Sequence, residues 1–154
     1  MESEENQFDQ FERKTLIRKK LIPIWIKVFS WLFLIMGFLA IVCIVFGIFG
    51  FTTDLSLYGF ETKTPISLVG FFVTSLILYK GFVAYCLLFE KDNAVNYAKI
   101  DAVIGIVICF ISMFVLPFVG ENNIFEIRLE IFLLIPFYRK MDAIEYAWDN
   151  LEHQ

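Results

Sequence analysis

The chain has little of what enzymes work with. Its one histidine, His153, stands near the C-terminal end, so a bis-histidine haem cannot be assembled. Its three cysteines, Cys43, Cys86 and Cys109, fall in three different apolar runs with no Cys-x-x-Cys among them. That excludes a quinone-linked thiol oxidase of the small membrane type and leaves three small apolar side chains. No glycine-rich phosphate loop, no His-Glu-x-x-His and no serine nucleophile elbow occurs. Positive charge is also short. Thirteen Lys and Arg stand against 17 Asp and Glu, for a net charge of −4. An acidic chain with no large basic patch is a poor binder of nucleic acid. The N-terminal lead does not read as a cleavable signal peptide, because it carries five acidic residues and the apolar run behind it is far longer than a signal core.

What the chain has is apolar surface. It is 58% hydrophobic and 18% aromatic over 154 residues, with a mean hydropathy of +0.68. Soluble domains average roughly 45–50% apolar residues. The excess is gathered into four runs, 24–51, 66–89, 100–119 and 124–138. A helix crossing the hydrocarbon layer needs about 20 apolar residues. The first two runs exceed that, the third matches it and the fourth falls short. Backbone in lipid must satisfy its own hydrogen bonds, and these runs do not alternate as barrel strands do, so they are expected to be helices. The predicted fold is all-α, an integral membrane four-helix bundle spanning 23–140. It is flanked by a cytoplasmic segment 1–22 and a cytoplasmic amphipathic tail 141–154.

Local signals place the boundaries. Phe8, Phe11, Leu16, Ile17 and Leu21, with bases between them, predict a short interfacial helix that Pro23 separates from the first span. Trp25 and Trp31 suit an interface, and Lys27 can snorkel outward. Cys43, Gly47 and Gly50 give the first span a small face. Thr64-Pro65 predicts the start of the second, with Thr64 as N-cap. Residues 90–99 read as the second connection. Ala102, Gly105, Cys109 and Ser112 form a small-residue stripe on the third span, and small residues let helices approach closely. Pro117 falls near the end of that span, and Gly120-Glu121-Asn122-Asn123 predicts a tight turn into the fourth. Met141, Ile144, Trp148 and Leu151 recur at helical spacing among acidic residues. They predict an amphipathic tail that lies on the surface or packs on the basic N-terminal helix.

Charge gives the orientation. With four spans, Arg13, Lys14, Arg18, Lys19, Lys20, Lys91, Lys99, Arg139 and Lys140 share one side, against Lys63 and Arg128 on the other. Loops rich in Lys and Arg stay cytoplasmic, so both termini are expected inside the cell membrane. The imbalance also argues against small exporters that insert both ways up, as does the lack of an acidic residue in the first span.

Four ionisable residues lie at or near membrane depth: Lys80, Asp101, Arg128 and Glu130. Such residues are costly and mark sites by default. Counted from the outer end, Lys80 lies about 21 Å deep and Glu130 about 9 Å deep, so the two are expected to pair. Asp101, one turn into a third span that begins at residue 100, is expected to meet Lys27 or a helix N-terminus instead. Arg128 is expected at the outer interface. Either Lys80 and Glu130 form a structural clasp, or Lys80 is the floor of a polar cavity for a small anion, a lipid headgroup or a proton.

The segment LILYKGFVAYCLLFEKDNAVNYAKIDAVIGIVIC, with IRLEIFLLIPFYRK after it, resembles small four-span proteins of the bacterial inner membrane. These pair an aromatic-rich second helix with a short polar turn and a small-residue third helix. The resemblance implies location and no activity. The expected function is non-enzymatic, without cofactor, metal or catalytic residues: an accessory or scaffold subunit of a membrane complex, or a homo-oligomer. Its expected partners are the lipid bilayer and a protein or a second copy of itself. The alternative is a small transporter, channel or ligand-binding module using Lys80 and Glu130.

Overall fold

The computed structural model describes residues 17–114 and 129–150. Within them the chain is mostly helical. A short helical stretch at 17–21 ends before Pro23, whose extended φ and ψ precede helix α1, Ile24–Ile48. Strands β1, Leu55–Leu57, and β2, Phe60–Thr62, follow. Then come helices α2, Leu68–Leu88, α3, Ala94–Phe114, and α4, Glu130–Asp149. The expectations for residues 1–16, Pro117, the turn at 120–123, Arg128 and His153 lie outside the described residues.

Among the described residues, α1, α2 and α3 are the three helices long and apolar enough to cross a membrane. At 1.5 Å per residue, α1 is about 37 Å long and the other two about 31 Å, against a hydrocarbon layer of about 30 Å. α1 turns its large side chains outward. Val28, Leu32, Ile35 and Phe38 are exposed, while its buried stripe holds Ser30, Gly37, Ala40 and Gly47. Only an apolar solvent makes that arrangement favourable.

The helices pack as antiparallel pairs, α1 on α2 and α3 on α4, with α2 and α3 meeting more sparingly. At the first crossing Gly37 faces Gly81, and a Cβ on Gly37 would stand 2.9 Å from the Gly81 Cα. At one end of the bundle Ile22, Ile26, Leu87, Ala94, Met141 and Trp148 form the largest buried cluster. α1 and α4 do not pack closely on each other, and the space between them is where the cavity described below opens.

Several sequence expectations are corrected. The fold is not purely helical, because the first connection contains an antiparallel hairpin with Leu57 opposite Phe60. Three-residue strands are too short to show a period-2 pattern. Its turn residues Tyr58 and Gly59 both have positive φ, 52° and 90°, as a type I′ turn requires. α2 starts at Leu68 because Ser67, not Thr64, is the cap: its Oγ accepts from the Gly70 N–H at 3.0 Å. Gly50 belongs to no packing face. It is the left-handed residue ending α1, with Phe51 N–H donating to the Phe46 carbonyl and Gly50 N–H to that of Gly47.

The second connection closes early, and α3 begins at Ala94 rather than residue 100. Ala94, Val95 and Ala98 are buried in the end cluster, and Asn96 and Lys99 occupy the other face. The helix thus starts six residues before the apolar run does. α4 runs unbroken across Pro136 to Asp149, so the described parts of the apolar stretch and of the amphipathic tail are one helix. Its apolar part, residues 130–138, is only about 13 Å long.

Candidate functional site

The connection between α2 and α3 sets the site's geometry. Lys80 lies eight residues before Leu88, and Asp101 seven after Ala94, so both sit about 10–12 Å from the same end of the bundle. They meet: Lys80 Nζ donates to Asp101 Oδ2 at 2.7 Å, with side chains 7% and 11% exposed. This overturns the expected Lys80–Glu130 pair and the expected Lys27 partner for Asp101. The depth count for Asp101 began at residue 100, and the missing six residues are nearly two turns. Lys27 instead donates to the Lys19 carbonyl at the bundle end.

The Lys80 ammonium also lies over two ring faces, Phe33 at 5.1 Å and Tyr58 at 5.2 Å from the centroids. Tyr58 comes from the tip of the hairpin, which therefore reaches inward to the depth of Lys80. Non-helical backbone at such depth is tolerated only where protein buries it. Here it packs with Ile108, Cys109 and Leu134 on α3 and α4. Gly105 of the small stripe makes the room, since a Cβ there would lie 2.5 Å from the Tyr58 hydroxyl. The stripe thus serves the hairpin as well as helix packing. The Tyr58 hydroxyl is buried with no hydrogen-bond partner among the described residues. Burial, then the negative charge of Asp101, holds its phenol well above the ordinary range, so it stays neutral. Tyrosine at positive φ costs roughly 1–3 kcal/mol, and such strain persists only where the surroundings enforce it.

A cavity of about 140 Å³ opens beside this group. α1 contributes Trp25, Phe29, Ser30 and Phe33, α4 contributes Glu130, Leu133 and Phe137, and Lys80, Asp101 and Tyr58 line it as well. Glu130 is exposed, and no basic side chain among the described residues lies within ion-pairing distance of it. Of the four predicted residues the structure joins Lys80 to Asp101, sets Glu130 on the same cavity, and leaves Arg128 outside the described residues. Tyr58, Phe33 and the aromatic lining were missed. Tyr-Gly between two apolar residues was the available hint of a tight turn.

A second polar cluster ties the bundle end. The Arg18 guanidinium donates to Asp92 Oδ1 at 2.6 Å and to the Glu90 and Trp148 carbonyls at 3.1 and 3.4 Å, over the Trp148 ring. Trp148 Nε1 donates to the Lys91 and Asp92 carbonyls. Lys99 bridges Asp142 and Glu145 at 2.7 and 2.8 Å. The C-terminal half of α4 thus packs on α3 and on Arg18 and Ile22 of the N-terminal segment, the rest of which lies outside the described residues.

Three apolar helices of crossing length, with large side chains facing outward, suggest a multi-pass membrane protein. No family model, no curated protein and no solved structure matches the chain.

Proposed function

We propose that this is a non-enzymatic membrane protein whose interior cavity, walled by the Lys80–Asp101 pair, holds a small ligand. The observation that carries the reading is the coincidence of a buried ion pair, a strained hairpin tip and a cavity of about 140 Å³ at one place. A clasp alone needs no empty volume, and close packing would fill it. Convergent polar groups in an otherwise apolar, aromatic cavity are what small-molecule sites look like.

In the same proposal the chain crosses the inner membrane of a bacterium four times with both termini cytoplasmic. The Arg18 contact to the Trp148 carbonyl supports an even number of crossings, since it ties the two ends of the chain at one face. Lys19, Lys20, Lys91, Arg139 and Lys140 at that face support a cytoplasmic side. The bacterial location is supported by the sequence resemblance.

A second reading, an accessory subunit or homo-oligomer, draws support from a lipid-facing groove beside Gly37 and Gly81, lined by Leu34, Ile35, Phe38 and Ile41. One experiment separates the two. The protein is extracted from native membrane in lipid discs and analysed by mass spectrometry beside Ser30→Leu, which fills the cavity. A small molecule carried by the wild type and lost from Ser30→Leu supports the ligand site. A stoichiometric polypeptide carried equally by both, with no small molecule, replaces it with the subunit reading.

A further inference from the structure

The charge of the cavity wall narrows what it can hold. Three of its lining side chains carry charge: Lys80, Asp101 and Glu130. Lys80 is already occupied on several sides. A carboxylate takes one N–H at 2.7 Å, and the faces of Phe33 and Tyr58 cover others. An incoming anion would have to displace Asp101 and leave that carboxylate buried without its cation. Glu130 is different. It is a carboxylate at the first turn of α4, exposed, and outside any ion pair among the described residues. With Lys80 and Asp101 cancelling, the wall presents one negative charge.

The rest of the wall favours the same sign. Trp25, Phe29 and Phe137 place three aromatic rings around the space, beside the two that already lie over Lys80. Ring faces attract cations, most strongly where water is excluded. Among the described residues no group of three or more potential metal ligands is gathered. A divalent metal needs several oxygen ligands, and one glutamate is too few. Cavities of about 150 Å³ accommodate benzene.

We propose that the cavity takes a small organic cation, an aromatic or branched-alkyl ammonium of about benzene's bulk, with Glu130 as counter-charge and the rings as its walls. This rests on the ligand-holding reading above and adds the sign and class of the ligand. The Lys80–Asp101 pair positions the wall and does not contact the ammonium as a counter-ion.

The test uses three near-isosteric probes, benzylammonium, benzyl alcohol and benzoate, titrated at neutral pH into full-length protein in zwitterionic lipid discs. Binding is read by saturation-transfer NMR against empty discs. Benzylammonium is expected to bind roughly tenfold tighter than benzyl alcohol, as a charge-assisted contact supplies, with benzoate weakest. Glu130→Gln should bring benzylammonium to the level of benzyl alcohol and leave the alcohol unchanged. Its melting should match the wild type, since Glu130 holds no ion pair among the described residues. Benzoate binding best, or an unchanged order in Glu130→Gln, overturns the cation and leaves the ligand site standing. No binding by any probe above that of Ser30→Leu overturns both.

Discussion

Removing Lys80 tests the centre of the structure most directly. Lys80→Met keeps the length and apolar stem of the side chain and deletes the charge. Asp101 is then left in a wall where its side chain is 11% exposed, with no other base paired to it among the described residues. Breaking a buried pair from one side costs about 3–5 kcal/mol. The contacts over Phe33 and Tyr58 would add roughly 0.5–2 kcal/mol each. In a membrane the unfolded reference can find other polar partners, which brings the expectation to the low end, about 3 kcal/mol. Asp101→Leu should cost a similar amount. The double variant Lys80→Met, Asp101→Leu should lie within about 1 kcal/mol of the wild type, because a well-packed apolar replacement of a buried pair is close to neutral. Unfolding by dodecyl sulfate in mixed micelles, followed by circular dichroism, gives all four corners of the cycle. The expected coupling is therefore about 5–6 kcal/mol, and the parallel cycle of Lys80→Met with Glu130→Gln should give less than about 0.5 kcal/mol. A coupling to Glu130 larger than that to Asp101 would refute the depth argument on which the site rests.

Three further outcomes follow from the packing. Gly37→Ala places a Cβ 2.9 Å from the Gly81 Cα, so it should destabilise by about 1–3 kcal/mol in the same titration; a neutral result would mean that α1 and α2 do not cross there. Glu90 ends α2 at φ 46°, with Lys91 N–H donating to the Cys86 carbonyl, a position that favours glycine. Glu90→Gly should therefore stabilise by about 1 kcal/mol. Burial also raises the Glu90 carboxyl above its ordinary range, against the opposing pull of Lys19, Lys27 and Arg18. Its protonated form thus favours the fold, and that contribution fades as pH rises through the raised value, so the gain from Glu90→Gly should be greater at pH 7 than at pH 4. Trp148→Phe keeps the buried ring but loses the Nε1 bonds to the Lys91 and Asp92 carbonyls. It should cost about 1–2 kcal/mol and speed amide exchange in the last two turns of α4; unchanged exchange would show that this tryptophan does not anchor the helix.

Much of the architecture was legible because hydropathy and helix length are tied to one physical quantity, the thickness of the hydrocarbon layer. The three spans and the buried small stripe Ala102, Gly105, Cys109 and Ser112 follow from that. What failed was register. Hydropathy marks where a segment becomes apolar, not where the backbone starts to coil. Asn96 and Lys99 looked like loop because they are polar, yet on α3 they face away from Ala94, Val95 and Ala98. That misplaced start moved Asp101 from the level of Lys80 to the interface and handed Lys80 the wrong partner. Gly37 and Gly81 were passed over for a related reason. Gly37 shares its buried face with Ser30, Ala40 and Gly47, but the meaning of the two glycines arises only when they meet.

The hairpin was the least legible element, and it bears most on function. Strands of three residues carry no periodicity, and nothing in LSLYGFET says that its tip will lie against the middle of a membrane helix. An isolated two-stranded hairpin is marginal in water. This one is set among Ala40, Val73 and Ile77 on one side and Ile108 and Leu134 on the other. Its insertion changes what the charged residues can be. With Tyr58 and Phe33 over its ammonium and Asp101 against it, Lys80 is spent on holding hairpin, α1, α2 and α3 together. The carboxylate left over is Glu130, the residue first cast as its partner. The question of clasp or site therefore divides between two residues: Lys80 is the clasp, and the cavity beside it draws its character from Glu130.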